Sequence, residues 1–600
     1  AAGELDGKSQ LAYSSDNDIG AETLTAKTGD LEYKMTLNTT AYSQDSSQEG
    51  SSSGDLGLWI SDMPESGFSP VTAEAVEASI RRSTRIVFDP TNHRVGFAES
   101  GEVQTSQPIN GTPRFPLVGI LPPLYPEWLG DRGFQETHGT RFAYVGGAMA
   151  RGITSAEMVI QLGKMGAMGM FGAAGLSPAV VEEAITRIGA ALDPEGLPWG
   201  SNLIHSPNEP DLENQIVDLY IRRGVRRVSA SAYMSLTPAI VRYACTGLSR
   251  NENGHVVRQN HVFAKISREE VARHFLTPAP ANILEVLVAD RKLTPEEAEI
   301  AAGIPLAEDI IVESDSGGHT DNRPLNSLFP AILTLRDKLS NEFGYTRPIR
   351  LGAAGSLGTP VSVAAAFSLG AAFVLLGSVH QSAIESGASE NSRQLLAKAE
   401  LADVMMTASA DMFELGVKVQ VLKRGTMMGV RGNQLYELYT KYASIDDIPE
   451  EQRQNIEKNI FRTSLDDIWA QTEQFFSKAD PKQIEKATKS PKHKMALIFR
   501  WYIGNSSQWP IVGETDRMGD YQIWCGPAMG AFNRWVEGSF LELPEARTVQ
   551  QIAMNLLEGA AHVTRVQQLR SFGLAMAPDS LDFRPTRLRV QTGLNQVGEH

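Results

Sequence analysis

Cysteine is almost absent. Two thiols, Cys245 and Cys525, stand far apart in 600 residues, so a disulfide framework is excluded and a cysteine-based metal site has no support. Histidine is also sparse. His205, His380 and His493 form no pair at metal-ligand spacing, so they read as core or surface histidines and no metal is expected. No run of about 18 apolar residues occurs, which argues against a membrane span. Positive charge is in deficit: 55 Lys and Arg face 71 Asp and Glu, a net −16. That disfavours a general nucleic-acid binder. The opening residues, Ala1-Ala-Gly-Glu-Leu-Asp6, lack the basic and apolar regions of a signal peptide, and a cytoplasmic protein is expected. No G-x-G-x-x-G fingerprint stands at a strand-to-helix junction.

What is present is a globular composition, 42% hydrophobic, on a chain too long for one core. Eight apolar runs of strand length follow one another: Arg141–Gly146, Ala167–Gly172, Gly200–Ile204, Arg226–Ala230, Val262–Ile266, Asp309–Glu313, Ile349–Gly352 and Phe373–Gly377. Helix-start signals lie between most of them. Thr154-Ser-Ala-Glu157 and Ser267-Arg-Glu-Glu270 read as capping boxes, and Ser177-Pro178, Thr237-Pro238 and Thr359-Pro360 as cap-then-proline starts. Strand and helix alternate through short connections, which predicts a parallel α/β fold. A doubly wound sheet would usually carry its glycine-rich phosphate loop after the first strand. Here glycines crowd strands 1, 7 and 8, and loops 7 and 8 form the usual phosphate site of a closed barrel. The expected fold is therefore a (β/α)8 TIM barrel over residues 127–395.

Four regions are expected in all. Residues 1–60 read as a flexible polar arm containing the linker-like Ser46–Gly54, with order beginning near Leu58. Residues 61–126 read as a small α/β segment with a helix over Ala73–Ser83, a hairpin from Arg85–Phe88 and His93–Phe97, and a proline-rich connection, Pro113–Pro126, into the barrel. Residues 277–305 read as a two-helix insertion between strands 5 and 6. After 396 the strand pattern stops, and residues 396–580 read as an all-helical domain that includes a helix over Ala408–Leu422.

Certain residues carry a resemblance. Gly146-Gly-Ala-Met-Ala150, Asn202, Ser316-Gly-Gly-His319, Ala354-Gly-Ser356 and Gly377-Ser378 resemble the flavin-binding constellation of the nitronate monooxygenase and FMN enoyl reductase superfamily. Ser201–Glu209, Glu313–Pro324, Asp411–Gly425 and Asp520–Gly530 resemble the PfaD-type enoyl reductases, trans-acting components of polyunsaturated fatty acid and polyketide synthases. The resemblance spans about residues 110–570. It implies FMN as cofactor, NADPH as hydride source, and reduction of a 2-enoyl thioester on an acyl carrier protein. Where the superfamily often has Gly-Gly, this chain has Gly355-Ser356, whose backbone N–H can still meet a phosphate. The family's acidic residue ahead of Gly-Gly-His falls at or next to Val312 and Glu313.

Candidate roles follow. His319 can donate to the thioester oxygen, deliver the proton, or only hydrogen-bond the flavin edge. Gly147, Ala148 and Met149 let the ring lie against the backbone or make a tight turn. Asn202 faces the pyrimidine edge by resemblance and is a local cap otherwise. Lys265, inside apolar strand 5, needs a partner: the flavin ring or an internal carboxylate. Ser316, Gly317, Gly318, Ala354, Gly355, Ser356, Gly377 and Ser378 complete the cofactor set. Rival functions are a nitronate monooxygenase-like oxidase and a non-catalytic assembly subunit. A homodimer is compatible with the sequence. For carrier docking the candidate patch is Lys482, Lys486, Lys489, Lys492 and Lys494, a basic run in an acidic chain.

Overall fold

The computed structural model describes residues 11–15, 21–28, 31–38, 58–60, 65–98, 102–104, 114–205 and 210–589. The chain forms two compact units, Ala1–Pro123 with Gln568–Ala577, and Leu124–Gln567 with Pro578–His600.

In the first unit, Leu11–Ser15, Ala21–Thr28 and Leu31–Asn38 pair as an antiparallel sheet. These strands lie where a flexible arm was expected. The overlooked signal is a period of two: Leu31, Tyr33, Met35 and Leu37 alternate with Glu32, Lys34, Thr36 and Asn38, after Gly29-Asp30. The linker-like Ser46–Gly54 falls outside the described residues. A five-stranded sheet has the order Arg94–Ala98, Thr84–Asp89, Arg114–Leu121, Leu58–Ile60, Glu102–Gln104. Most of the expected proline-rich connection is thus strand. Helix Ala73–Ser79 is capped by Thr72, whose hydroxyl accepts from the Ala75 N–H at 3.2 Å.

The second unit is built on a closed parallel barrel. Its strands are β1 Tyr144–Gly147, β2 Met168–Phe171, β3 Trp199–Ile204, β4 Arg227–Ser231, β5 His261–Ile266, β6 Asp309–Glu313, β7 Arg350–Ala354 and β8 Phe373–Leu376. All eight coincide with the sequence-derived runs, and β8 closes on β1 through Val374 opposite Tyr144. Thr237 and Thr359 cap their helices as expected. Ser155, not Thr154, caps the helix after β1, and Ser267 gives its hydroxyl to Asp321 instead of a helix end. The insertion between β5 and β6 contributes helices Ala281–Ala289 and Pro295–Ala301.

The amino-terminal end of the barrel is plugged. Phe134, on helix Arg132–His138, stacks on Phe373 with ring centroids 4.5 Å apart. His138 donates from Nε2 to Asp309 at 3.0 Å, and Arg227 Nε donates to its Nδ1 at 3.3 Å. Arg350 donates to both Asp309 oxygens, at 2.7 and 2.8 Å. Ligand-type atoms of His138, His261 and Asp309 lie within 4.8 Å of one another. Asp309 already accepts three hydrogen bonds and both His138 nitrogens are paired, which leaves His261 Nδ1 as the cluster's one buried unpartnered ligand-type nitrogen among the described residues, so the cluster reads as a structural plug.

The carboxyl-terminal part is mostly helical, around a core that includes Phe413, Leu435, Phe461, Phe499 and Tyr502. The helix expected over Ala408–Leu422 is instead a hairpin, Val404–Ala408 with Lys418–Leu422. Gly318–His319 adds to its edge with Gly318 opposite Gln420 and His319 opposite Val419. Alternation in Lys418-Val-Gln-Val-Leu422 and Gly416 at φ +71° explain the strand. The lysine run is divided. Lys482, Lys486 and Lys489 are exposed on helix Pro481–Lys489. Lys492 donates to the carbonyls of Tyr439 and Tyr442, and Lys494 lies 4.8 Å over the Trp469 ring. Among the described residues no helix is long and apolar enough to cross a membrane.

Burial lowers His261 and His380 to about 3. An unfolded histidine takes its proton near pH 6.5, so stability from these groups is present above that pH and is lost as pH falls toward 3. We expect each to contribute a slope of about 1.4 kcal/mol per pH unit below pH 6.5. Urea unfolding of His261→Asn between pH 6.5 and 5 should give a limb flatter than wild type by that amount.

Candidate functional site at the carboxyl ends of the barrel strands

The turn after β1 is set by Gly147, at φ +106°. A Cβ there would lie 2.4 Å from Thr154 Cγ2, so only glycine fits. Ala148 N–H donates to Met170 O at 2.8 Å and Met149 N–H to Thr154 Oγ1 at 2.9 Å. Those amides are spent within the turn, so what this loop offers a ligand is its surface, not its donors. Met149 faces Gly377 after β8: a Cβ built on that glycine would meet only Met149 Cγ and Sδ, at 3.7 and 3.9 Å.

Asn202 ends up buried on β3. Its Nδ2 donates to Ser229 O and Ser231 Oγ on β4, both at 3.1 Å. Its Oδ1 and the neighbouring Ser229 Oγ are buried with no hydrogen-bond partner among the described residues. Buried polar atoms are normally satisfied. This pair of orphans suits the polar edge of a planar ring such as flavin. A cavity of about 30 Å³ bounded by Ala173, Asn202, Glu213 and Ile216 lies against it.

Lys265 has found its carboxylate. Nζ lies 3.1 Å from Glu313 Oε1, and Ser316 Oγ donates to that same oxygen at 3.1 Å. Of the two partners open to Lys265, the structure shows the internal one. Of the two adjacent positions to which the family's acidic residue could correspond, Glu313 is the one that reaches the site.

Loops 6 and 7 are stitched together. Ser314 N–H and Oγ both donate to Ala354 O, at 2.8 and 2.9 Å. Ser356, at φ +56°, donates from Oγ to Asp315 O at 3.1 Å. Across these loops runs the segment Tyr521–Ala528. A Cβ on Gly317 would lie 2.7 Å from Cys525 N, so the two backbones touch directly. Ser378 Oγ accepts from Gly526 N–H at 3.1 Å and is thereby committed to this strap.

His319 stands where β6's loop joins the hairpin, with 46% of its side chain exposed. Nε2 lies 3.2 Å from Ser409 Oγ and 3.3 Å from Asp411 Oδ1. Desolvation by the surrounding chain would raise the Asp411 carboxyl even though 54% of its side chain is exposed, but His319 and Ser409 outweigh it and hold the group low, at about 2. Gln420, on the hairpin, donates from Nε2 to Asp315 Oδ1 and Ser316 O, both at 2.7 Å. Ser409, Asp411 and Gln420 escaped detection by sequence because they act from a segment whose pattern suggested a helix. The only hint was that Asp411 opens one of the family-like stretches.

His380 is fully buried behind β1, with Nε2 2.6 Å from the Tyr144 hydroxyl, and His205 pairs with Glu213 at 2.8 Å. Neither meets His319. The structure thus brings Gly147, Met149 and Gly377 together, and Ser316, Gly317 and Gly318 against the strap. Lys265 joins the second group through Glu313 and Ser316, while the Asn202 amide hydrogen bonds go to β4.

A family model described as nitronate monooxygenase matches residues 135–437. The chain belongs to that family. A second model, the inserted helical domain of [acyl-carrier-protein] S-malonyltransferase, matches residues 442–521. The chain is 47% identical over 451 residues to one of the polyunsaturated fatty acid synthase proteins of Thraustochytrium sp., covering 74% of this chain and 30% of that protein. It is 45% identical over 435 residues to the polyketide biosynthesis protein PksE of Bacillus subtilis, covering 72% and 56%. The chain therefore spans less than two thirds of these curated relatives. Among solved structures, the enoyl reductase domain of MlnA from the macrolactin biosynthesis cluster of Bacillus amyloliquefaciens is similar at 38% identity and a TM-score of 0.71. That match covers 74% of this chain and 99% of the domain.

The turn after β1 supplies a direct check on this geometry. Gly147→Ala meets both a left-handed backbone and a filled space, and should cost about 2–4 kcal/mol. Gly139→Ala has the same handedness, φ +70°, with nothing within 4 Å of its Cβ, and should cost about 1 kcal/mol. Denaturation of the two variants side by side reads the difference; equal costs would mean the space around Gly147 is not limiting.

Proposed function

We propose that the protein is an FMN-dependent enoyl reductase. It reduces the 2,3 double bond of enoyl thioesters presented by an acyl carrier protein of a polyunsaturated fatty acid or polyketide synthase, with NADPH as reductant. The observation that carries the reading is His319 at the carboxyl end of the barrel, in a chain that covers 99% of a solved enoyl reductase domain.

The reaction adds a hydride at the β-carbon and a proton at the α-carbon. Flavin, when bound, supplies the hydride chemistry. The chain must then hold the ring, orient the thioester and provide a proton. Asn202 and Ser229 suit the ring's polar edge, through atoms that otherwise lack partners. Gly147 and Met149 offer it a flat backbone surface. Gly355, Ser356 and Gly377 stand where barrels of this type hold a phosphate. Lys265 and Glu313 neutralise each other, so together they present a dipole instead of a net charge. His319 donates a hydrogen bond to the thioester oxygen as negative charge develops there, or passes its proton to the α-carbon.

An absorption spectrum followed by anaerobic stopped flow tests this. Purified protein should carry FMN, NADPH should bleach it, and an enoyl thioester should restore it. Bleaching by a nitronate in place of NADPH would overturn the reductase reading in favour of an oxidative one. His319→Ala should keep its flavin and lose on the order of 10²–10³ in the enoyl-dependent step.

Carrier recognition is assigned to the helical region. Support comes from the match of residues 442–521 to an inserted domain of an acyl-carrier-protein transferase and from the exposed Lys482, Lys486 and Lys489 on one short helix. Exposed charges of this kind act on encounter more than on the bound complex. Reversing the three to Glu should raise KM for a carrier-bound enoyl substrate, with a weaker salt dependence, and leave a small enoyl thioester unaffected. Equal effects on both substrates would remove the helix from docking.

A further inference from the structure

We infer that Asp411, with Ser409, is a positioning pair for His319: it holds the ring by Nε2–H and so makes Nδ1 the nitrogen that meets the substrate. The inference deepens the enoyl reductase reading and rests on it for the role of His319.

The argument starts from hydrogen-bond valence. Ser409 Oγ donates its single proton to Asp411 Oδ1. Having given that proton, the hydroxyl can only accept from its other neighbour, His319 Nε2, at 3.2 Å. Asp411 Oδ1, at 3.3 Å from the same nitrogen, is an acceptor too. A ring nitrogen facing two acceptors must carry the proton, so Nε2 is the N–H. In the neutral ring Nδ1 then holds the lone pair, and in the charged ring Nδ1–H is the donor left for a ligand. A carboxylate that fixes a histidine tautomer and steadies its cation without itself touching substrate is a known way to prepare a general acid.

The pair is itself held in place. Ser409 N–H donates to Val417 O at 2.9 Å, which closes the turn between the hairpin strands. Phe413, inside that turn, is fully buried and packs on Tyr436, Tyr439 and Phe499 of the helical core. Asp411 therefore sits on a loop anchored from behind, while 54% of its own side chain remains exposed. Its buried partner is Ser409, so the substitutions used are ones that keep an acceptor oxygen at this position. The other acids near His319 have different commitments: Asp315 accepts from Gln420 and Asn322, Asp321 from Arg268 and Ser267, and Glu414 from Arg500.

The test reads the ring directly. Long-range proton–nitrogen correlation spectra of ¹⁵N-histidine-labelled full-length protein, with its flavin, report which nitrogen of each histidine is protonated. The His319 signal is identified by its loss in His319→Gln. Wild type should show the Nε2–H form. Asp411→Asn, whose amide can donate to the ring, should shift the population toward Nδ1–H, and Asp411→Glu should restore the wild-type pattern. In stopped flow, Asp411→Asn should slow reoxidation of reduced flavin by an enoyl thioester on the order of 10²–10⁴-fold, with flavin reduction by NADPH unchanged. An Nδ1–H ring in wild type would overturn the proposal. So would an Asp411→Asn variant with both an unchanged ring spectrum and an unchanged reoxidation rate. If reduced wild type is not reoxidised by any enoyl thioester, the enoyl reductase reading fails instead, and the ring spectrum still decides whether Asp411 sets the tautomer.

Discussion

Two residues of strand pairing govern the candidate site. Gly318 lies opposite Gln420 and His319 opposite Val419. This short ladder takes the loop after β6, which would otherwise be a free connection above the barrel, and makes it the edge of a sheet whose other strands belong to the carboxyl-terminal region. The orientation of His319 is therefore a property of two distant segments. Gln420 reinforces the pairing by donating both to a side chain and to a carbonyl of the β6 loop. A loop tied by backbone and side chain loses its entropy at folding, not at substrate binding, which is the general advantage of a preorganised site.

The two ends of the barrel use charge differently. At the amino-terminal end, buried Asp309 accepts from Arg350 and His138, and both His138 ring nitrogens are paired, although His261 Nδ1 beside them has no partner among the described residues. At the other end, Asn202 Oδ1 and Ser229 Oγ are buried and unsatisfied, and the His319 ring is half exposed. Unsatisfied polar groups cost stability, and a ligand that paired with Asn202 and Ser229 would recover that cost.

The helical region does more than cover the barrel. It anchors the hairpin turn through Phe413 and presents Lys482, Lys486 and Lys489, and the strap Tyr521–Ala528 that follows it touches the β6 loop backbone to backbone. Lys492 and Lys494, adjacent in sequence to the exposed lysines, are consumed by carbonyls and an indole ring. Charge counted along a sequence thus overstates the charge a partner would meet.

The barrel was legible from sequence because its signals are local. Most strands are apolar runs that end at glycine or a small polar residue, and Thr237 and Thr359 mark helix starts within a few residues of their own bonds. The same locality gave Gly147, Asn202 and Gly377 their places, since a strand's end fixes where its next residues lie. What required the tertiary structure were relations that no short window contains. The stretch 408–422 is apolar enough for either a helix or a strand; Val404–Ala408 pairs with its second half, and Gly318–His319, about a hundred residues earlier, adds to the edge. Ser409 and Asp411 meet His319 for the same reason. Lys265 had two partners open to it until β5 and β6 set Glu313 beside it. Sequence determines which residues end each strand; only pairing across the chain decides which of them face one another, because those contacts depend on a register that local propensity does not encode.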